Sequence, residues 1–129
     1  MNIHNTPEYL VSTLESELDR LGVERDFVKN IDVFHCESKE DGKCIPTTEN
    51  GKMIGVTLTI KEEKSKRASK GKIYHESKHV KQYFKKGRRE VEEINPVYNE
   101  IEAYLYAFKR GMEEDLKTVY RRIKHVLRF

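Results

Sequence analysis

The sequence predicts an α+β domain: a small antiparallel sheet packed against a histidine-bearing helix and a following glutamate-bearing helix, with further helices at the N and C termini. Three observations carry this reading. Met53 to Ile60 alternates apolar with small or polar residues at period two, whereas four longer stretches repeat apolar residues every three to four positions. Turn signals, Asp41-Gly42 and Asn50-Gly51, sit between the first helical stretch and the alternating one. At 129 residues the chain is a single domain, 1–129, long enough for one modest core and too short for two.

The elements follow in order. Thr6-Pro7 opens a first helix whose Leu10, Leu14, Leu18 and Leu21 face a core, and Gly22 ends it. Asp32 to Cys36 reads as a short strand, and the Asp-Gly and Asn-Gly pairs as tight turns. In the alternating segment Ile54, Val56, Leu58 and Ile60 share one face, with Gly55, Thr57 and Thr59 on the other, which predicts a half-buried strand. Lys61 to Lys72 reads as a charged loop. Gly71 precedes the next helix and Gly87 closes it. Ile73, Val80, Tyr83 and Phe84 form its apolar stripe, and Lys85 and Lys86 suit the negative end of its dipole.

Asn95-Pro96 marks another helix start. There Tyr98, Ile101, Leu105 and Phe108 make one stripe, and Glu100, Ala103, Tyr104 and Ala107 the adjacent one. Glu113 to Phe129 reads as a separate final amphipathic helix, on Leu116, Val119, Tyr120, Ile123, Val126 and Leu127. No internal repeat is visible.

Composition bounds the class. Apolar and charged residues each make up 36% of the chain, so much of every helix must face water. No hydrophobic run reaches the length of a membrane span, and Met1 to Asn5 has no signal-peptide pattern, which predicts a cytoplasmic protein with no membrane partner. Lys and Glu richness with a single glutamine, Gln82, leans towards a thermophilic source. Cys36 and Cys44 flank a turn. They could be free thiols or a disulfide, and a second metal site on His35 and Cys36 lacks the close Cys-x-x-Cys spacing that would support it.

The chemistry concentrates in His75-Glu76-Ser77-Lys78-His79. On a helix, positions four apart point the same way, so His75 and His79 would offer two imidazoles to one tetrahedral Zn²⁺. Glu76 would stand close enough to take a proton from a water on the metal without binding the metal itself. Composition alone yields this pattern in roughly one shuffled chain in forty, so an amphipathic helix that merely carries two histidines has to be weighed beside it. The context raises the metal reading. Glu100 on the next helix would supply a third ligand, and Ala103 and Ala107 are small enough to let the two helices approach.

Together, HExxH at 75–79 and Asn-Glu-x-x-Ala at 99–103 resemble the gluzincin metallopeptidases, most closely the small single-domain minigluzincins described from archaea. More distantly they resemble the membrane-bound CAAX-processing proteases and the zinc peptidases that cleave phage repressors. The resemblance covers roughly Met53 to Lys109, and only its two motifs are specific. It implies one Zn²⁺ per chain held by His75, His79 and Glu100, Glu76 as general base, and a peptide or protein substrate. Glu102 competes as third ligand, but the family places that ligand three residues before the Ala, which selects Glu100.

One position departs from the pattern. Many gluzincins have Asp four residues after the ligand Glu, where it orients a metal-binding His; here it is Tyr104. Either a backbone carbonyl takes over or the metal is held less tightly.

A donor for the tetrahedral oxyanion is also expected, with Tyr104, Tyr98 and His125 as candidates. Ile54, Val56, Leu58 and Ile60 could form an edge strand that holds substrate extended, or a purely structural strand. The chain end after Lys124, or His4 near the start, could restrict the cleft and make the enzyme latent, although terminal packing explains the same residues.

The alternative function comes from charge. Lys64, Lys66, Arg67, Lys70, Lys72, Lys78, Lys81, Lys85, Lys86, Arg88 and Arg89 make the central third basic, with Tyr74, Tyr83 and Phe84 interleaved. A small nucleic-acid-binding protein without catalytic activity would look like this. The net charge is only +3, however, and charge runs are usually solvated faces.

Overall fold

A computed structural model of the chain describes residues 1–40, 42–86 and 96–127. Its order is β1 (Asn2–His4), α1 (Glu8–Leu21), a 3₁₀ turn (Arg25–Phe27), β2 (Val28–Phe34), β3 (Lys43–Glu49), β4 (Lys52–Lys61), α2 (Lys66–Lys86) and α3 (Pro96–Leu127). The architecture is α+β, as expected from the sequence.

The sheet runs β1-β2-β4-β3 and is mixed rather than antiparallel. β1 pairs parallel to β2 and β2 parallel to β4, and only β3 and β4 run antiparallel. The connections explain this. A helix, α1, carries the chain from β1 to β2, and such crossovers join parallel strands, whereas the tight turn at Asn50-Gly51 forces β3 and β4 antiparallel. Both turn residues have positive φ, 53° and 76°, as that hairpin geometry demands. Asp41 lies outside the described residues, so the Asp41-Gly42 turn is described only from Gly42 on.

Two bulges set which residues face the core. Thr47 pairs with Gly55 and Thr48 with Met53, which leaves Ile54 as an extra residue in β4. Met53 therefore takes the buried place before the bulge, and Val56, Leu58 and Ile60 after it, while Ile54 is only partly buried. At Gly55 the strand runs so close to the 3₁₀ turn that a Cβ would collide with the Phe27 carbonyl oxygen.

α1 buries Leu10, Leu14 and Leu18 beside Ile31 and Val33 of β2 and Ile73 and Val80 of α2. Gly22 caps it in the left-handed conformation (φ 70°), and the Val23 N–H donates to the Leu18 carbonyl at 2.9 Å. At the other end the Thr6 hydroxyl donates back to the His4 carbonyl rather than capping the helix.

α2 starts at Lys66, inside the stretch expected to be a loop, so Gly71 lies within the helix. Nothing stands within 4 Å of a Cβ placed there. Gly87, Arg88, Arg89 and Asn95 lie outside the described residues, as do Arg128 and Phe129.

The last two expected helices are one. α3 runs 32 residues without a break through Gly111, where a Cβ also meets nothing. A glycine inside a helix costs about 1 kcal/mol, too little to end it without a proline or a capping geometry. One residue earlier, Arg110 anchors the helix to α1. Its guanidinium donates to Glu17 at 2.7 Å and 2.9 Å, the two side chains are 6% and 2% exposed, and the Tyr106 hydroxyl donates to the same carboxylate. Among the described residues no helix is long and apolar enough to cross a membrane.

Candidate metal centre

α2 is held between the sheet and α3, with Ile73, Tyr74, Ser77 and Val80 buried. His75 and His79 leave the same side of this helix one turn apart, and Glu100 meets them from the first turns of α3. The His75 and His79 Nε2 atoms are 3.2 Å apart. Glu100 places Oε1 2.7 Å from His79 Nε2 and Oε2 3.3 Å from His75 Nε2. Ligands about 2.0–2.1 Å from a tetrahedral Zn²⁺ stand roughly 3.3 Å from one another. Three atoms of the right chemistry thus surround a point that such an ion fits. Among the described residues no other group of three His, Cys, Asp or Glu could hold a metal.

Glu102 is elsewhere. Its carboxylate accepts from Gln82 Nε2 at 3.1 Å and stands 3.8 Å from Lys78 Nζ.

Gln82 was not singled out as a site residue from sequence, and it fills the role left vacant by Tyr104. Its Oε1 lies 2.8 Å from His79 Nδ1, while its Nε2 donates to the Asn99 carbonyl at 2.9 Å and to Glu102. With both amide ends engaged, Oε1 has to accept, so His79 holds a proton on Nδ1 and presents Nε2 to Glu100 and His75. A signal was available: Gln82 follows His79 by three positions, which are neighbours on a helix.

His75 has no such acceptor, since its buried Nδ1 lacks a partner. Its ring packs instead against Tyr104, with centroids 4.3 Å apart. Burial first and the His79 charge second lower its pKa, while Glu100 raises it. The balance favours the neutral imidazole, the form that binds metals.

Glu76 sits one residue along α2, 7% exposed, and its Oε2 is buried without a donor. Burial pushes this carboxyl up to about 7; the His79 charge pulls it down and Glu100 pushes it further up. A carboxylate held there without a donor is poised to take a proton.

A cleft of about 620 Å³ opens over these groups, lined by His75, Glu76, Glu100 and Tyr104, with Gly42 and Ala107 in its walls. Gly42 passes close to β4, for a Cβ there would come within 2.8 Å of the Thr59 carbonyl oxygen.

Tyr104 is the one oxyanion candidate that lines the cleft. Tyr98 is exposed and outside it. His125 lies 25 residues beyond Glu100 on one continuous helix, about 37 Å along its axis, and cannot serve the same site. The same distance keeps the segment after Lys124 from restricting the cleft of its own chain. His4 is exposed on β1, at the sheet edge opposite β3.

β4 is not the edge strand that holding an extended substrate requires. β4, with Ile54, Val56, Leu58 and Ile60, is bonded to β2 on one side and β3 on the other, so it has no free edge. The strand was inserted into the sheet by the hairpin, which leaves β3 at the edge. Pro46 lies in that strand, and proline suits an edge.

Cys36 and Cys44 are both free. Burial, with the nearby Glu76 charge second, raises the Cys44 thiol well above its ordinary range. Several of the basic residues are committed within the chain: Arg67 to Asp115, Lys72 to Glu63 at 3.7 Å, Lys78 to Glu102, and Lys66 over the Tyr9 ring. Lys85 is exposed, and the Lys86 side chain lies outside the described residues.

No protein-family model, no curated protein and no solved structure matches this chain. What can be said of its activity rests on the site itself.

Proposed function

We propose that the protein is a zinc-dependent metallopeptidase. The observation that carries this is the convergence of His75 Nε2, His79 Nε2 and a Glu100 carboxylate beside the buried, unpaired Glu76. A Zn²⁺ held there would lower the pKa of a water and polarise a peptide carbonyl. Gln82, accepting from His79 Nδ1–H, would hold the ring with Nε2 turned towards the ion. Glu76 accepts the proton from the attacking water and returns it to the leaving amine; a pKa near neutrality suits both transfers. Tyr104, in the cleft wall, can turn its hydroxyl towards the developing oxyanion.

The test combines metal analysis with hydrolysis of an unfolded protein. Wild-type protein should hold about one Zn²⁺, and His75→Ala, His79→Ala or Glu100→Ala should lose it, whereas Glu102→Ala should keep it. Glu76→Gln should keep metal and fold but lose turnover by roughly two to four orders of magnitude. Unchanged hydrolysis by Glu76→Gln would end the mechanism. Loss of zinc from Glu102→Ala with retention in Glu100→Ala would reassign the third ligand.

A further inference from the structure

Beyond Asp115, whose carboxylate pairs with Arg67 of α2, α3 leaves the body of the molecule. Between Met112 and Leu127 it carries seven large apolar side chains that are half to three-quarters exposed, continuing the exposed row that Ile101, Leu105 and Phe108 begin. They are not scattered. Met112, Leu116, Val119, Ile123 and Val126 follow one another at steps of 4, 3, 4 and 3, the spacing that turns one narrow stripe towards a second helix. The stripe lies on the side of α3 opposite buried Ala103 and Arg110.

We propose that this stripe pairs with the same stripe of a second copy of the chain, antiparallel and centred on Val119. Three observations select this occupant. The first is register: with Val119 against the partner's Val119, Leu116 meets the partner's Ile123 and Met112 the partner's Val126, so each layer is apolar. The second is charge. Glu113 and Asp115 flank the stripe on either side, and in this register they face the partner's Lys124 and the partner's Arg122 respectively, each contact occurring twice. Glu113 already pairs with Arg20 and Arg110, and Asp115 with Arg67, but a carboxylate has acceptor sites to spare for a second cation. A parallel pair would instead bring Arg121, Arg122, Lys124 and His125 against their own counterparts.

The third is area. Covering the exposed parts of all seven would remove on the order of 600–800 Å² per protomer, the lower part of the range of stable interfaces. An anionic membrane surface fits less well, because Glu113, Glu114 and Asp115 interrupt the polar face. The inference uses neither the metal nor the cleft. Val119 lies 19 residues from Glu100, about 28 Å along the axis, so pairing leaves both clefts clear.

The test is made on the full-length chain. Sedimentation at micromolar concentration should give a dimer, and Leu116→Glu with Ile123→Glu should weaken dimerisation at least about a hundredfold while leaving the cooperative unfolding of the body and its bound zinc unchanged. Orientation is read by cross-linking with Cys36 and Cys44 replaced by Ala. Val119→Cys should form a disulfide with itself, whereas Leu116→Cys should not, and should join an Ile123→Cys chain instead. A monomer at all concentrations overturns the proposal. Self-cross-linking by Leu116→Cys and Val119→Cys alike overturns the antiparallel arrangement. A monomer that binds vesicles containing phosphatidylglycerol would assign the stripe to a membrane surface and also overturn it.

Discussion

Gln82 Oε1 lies 2.8 Å from His79 Nδ1, and the opposite end of the same amide is tied to the Asn99 backbone. One side chain therefore holds both the Nδ1 proton of His79 on α2 and the turn of α3 that carries Glu100. Gln82→Leu, which removes the acceptor at similar volume, should weaken Zn²⁺ binding by roughly 10–100-fold with the fold retained. Gln82→Glu should recover only part of it, because its carboxylate accepts from Nδ1–H but sets its second oxygen against the Asn99 carbonyl and Glu102, to which the amide donated. Competition against a coloured chelator reads both. Equal affinity for Gln82→Leu and wild type would remove Gln82 from the site.

The buried Glu76 carboxyl gives the zinc-free protein a defined pH response. Its folded pKa of about 7 lies above the ordinary 4.5, so the folded chain binds more protons than the unfolded one between those values. Stability must fall as pH rises from about 4.5 to about 7 and stay lower beyond it, by about 3 kcal/mol. With a strong chelator present, Glu76→Gln should be more stable than wild type at pH 8 by that amount, and indistinguishable at pH 4. Thermal unfolding at the two pH values decides it; a constant difference would mean the carboxyl does not titrate in this window.

Glu17 and Arg110 should behave as a unit. Glu17→Ala leaves a buried guanidinium without its main partner and should destabilise by about 3–5 kcal/mol, while replacing both residues by Leu and Met should cost far less. Urea unfolding of the two variants measures the gap. Similar losses in both would mean that the pair contributes mainly through its bulk.

Two glycines should respond to alanine with opposite signs. Gly55→Ala drives a methyl into the Phe27 carbonyl, where only backbone can yield, and should cost about 1–3 kcal/mol. Gly71→Ala, in the open interior of α2, should stabilise by about 0.5–1 kcal/mol. A stabilising Gly55→Ala would place β4 further from the 3₁₀ turn than the structure does.

Much of this molecule was legible in its sequence, for physical reasons that differ by element. The period-two run at Met53–Ile60 and the leucine stripe of α1 are local patterns, and local patterns survive folding. The bulge at Ile54 is not local: it is defined by the partner strand, so the assignment of Ile54 to the buried face failed by one residue. β1 and β3 escaped notice because one spans three residues and the other carries Pro46. The strand order, and with it the loss of any free edge on β4, depends on pairings that no window of sequence contains. His75, His79 and Glu100 could be named from spacing because two helices fix their directions. Gln82 offered only half its role to the sequence: its place three positions after His79 is local, but its bond to the Asn99 carbonyl comes from the helix interface.

From Leu116 to Leu127 every side chain of α3 is exposed, so a single helix has two regimes of persistence. Backbone amides ahead of Asp115 are shielded by the body of the protein and exchange with solvent only when that body opens. Those behind it belong to about three turns of helix with no described support, a length that by itself frays readily in water. Their exchange lifetimes are then governed by the fraction of chains that have found a second copy. Dilution should shorten them on one side of Asp115 and leave the other untouched, so that a measurement made in deuterated water would find the molecule's boundary in the middle of an unbroken helix.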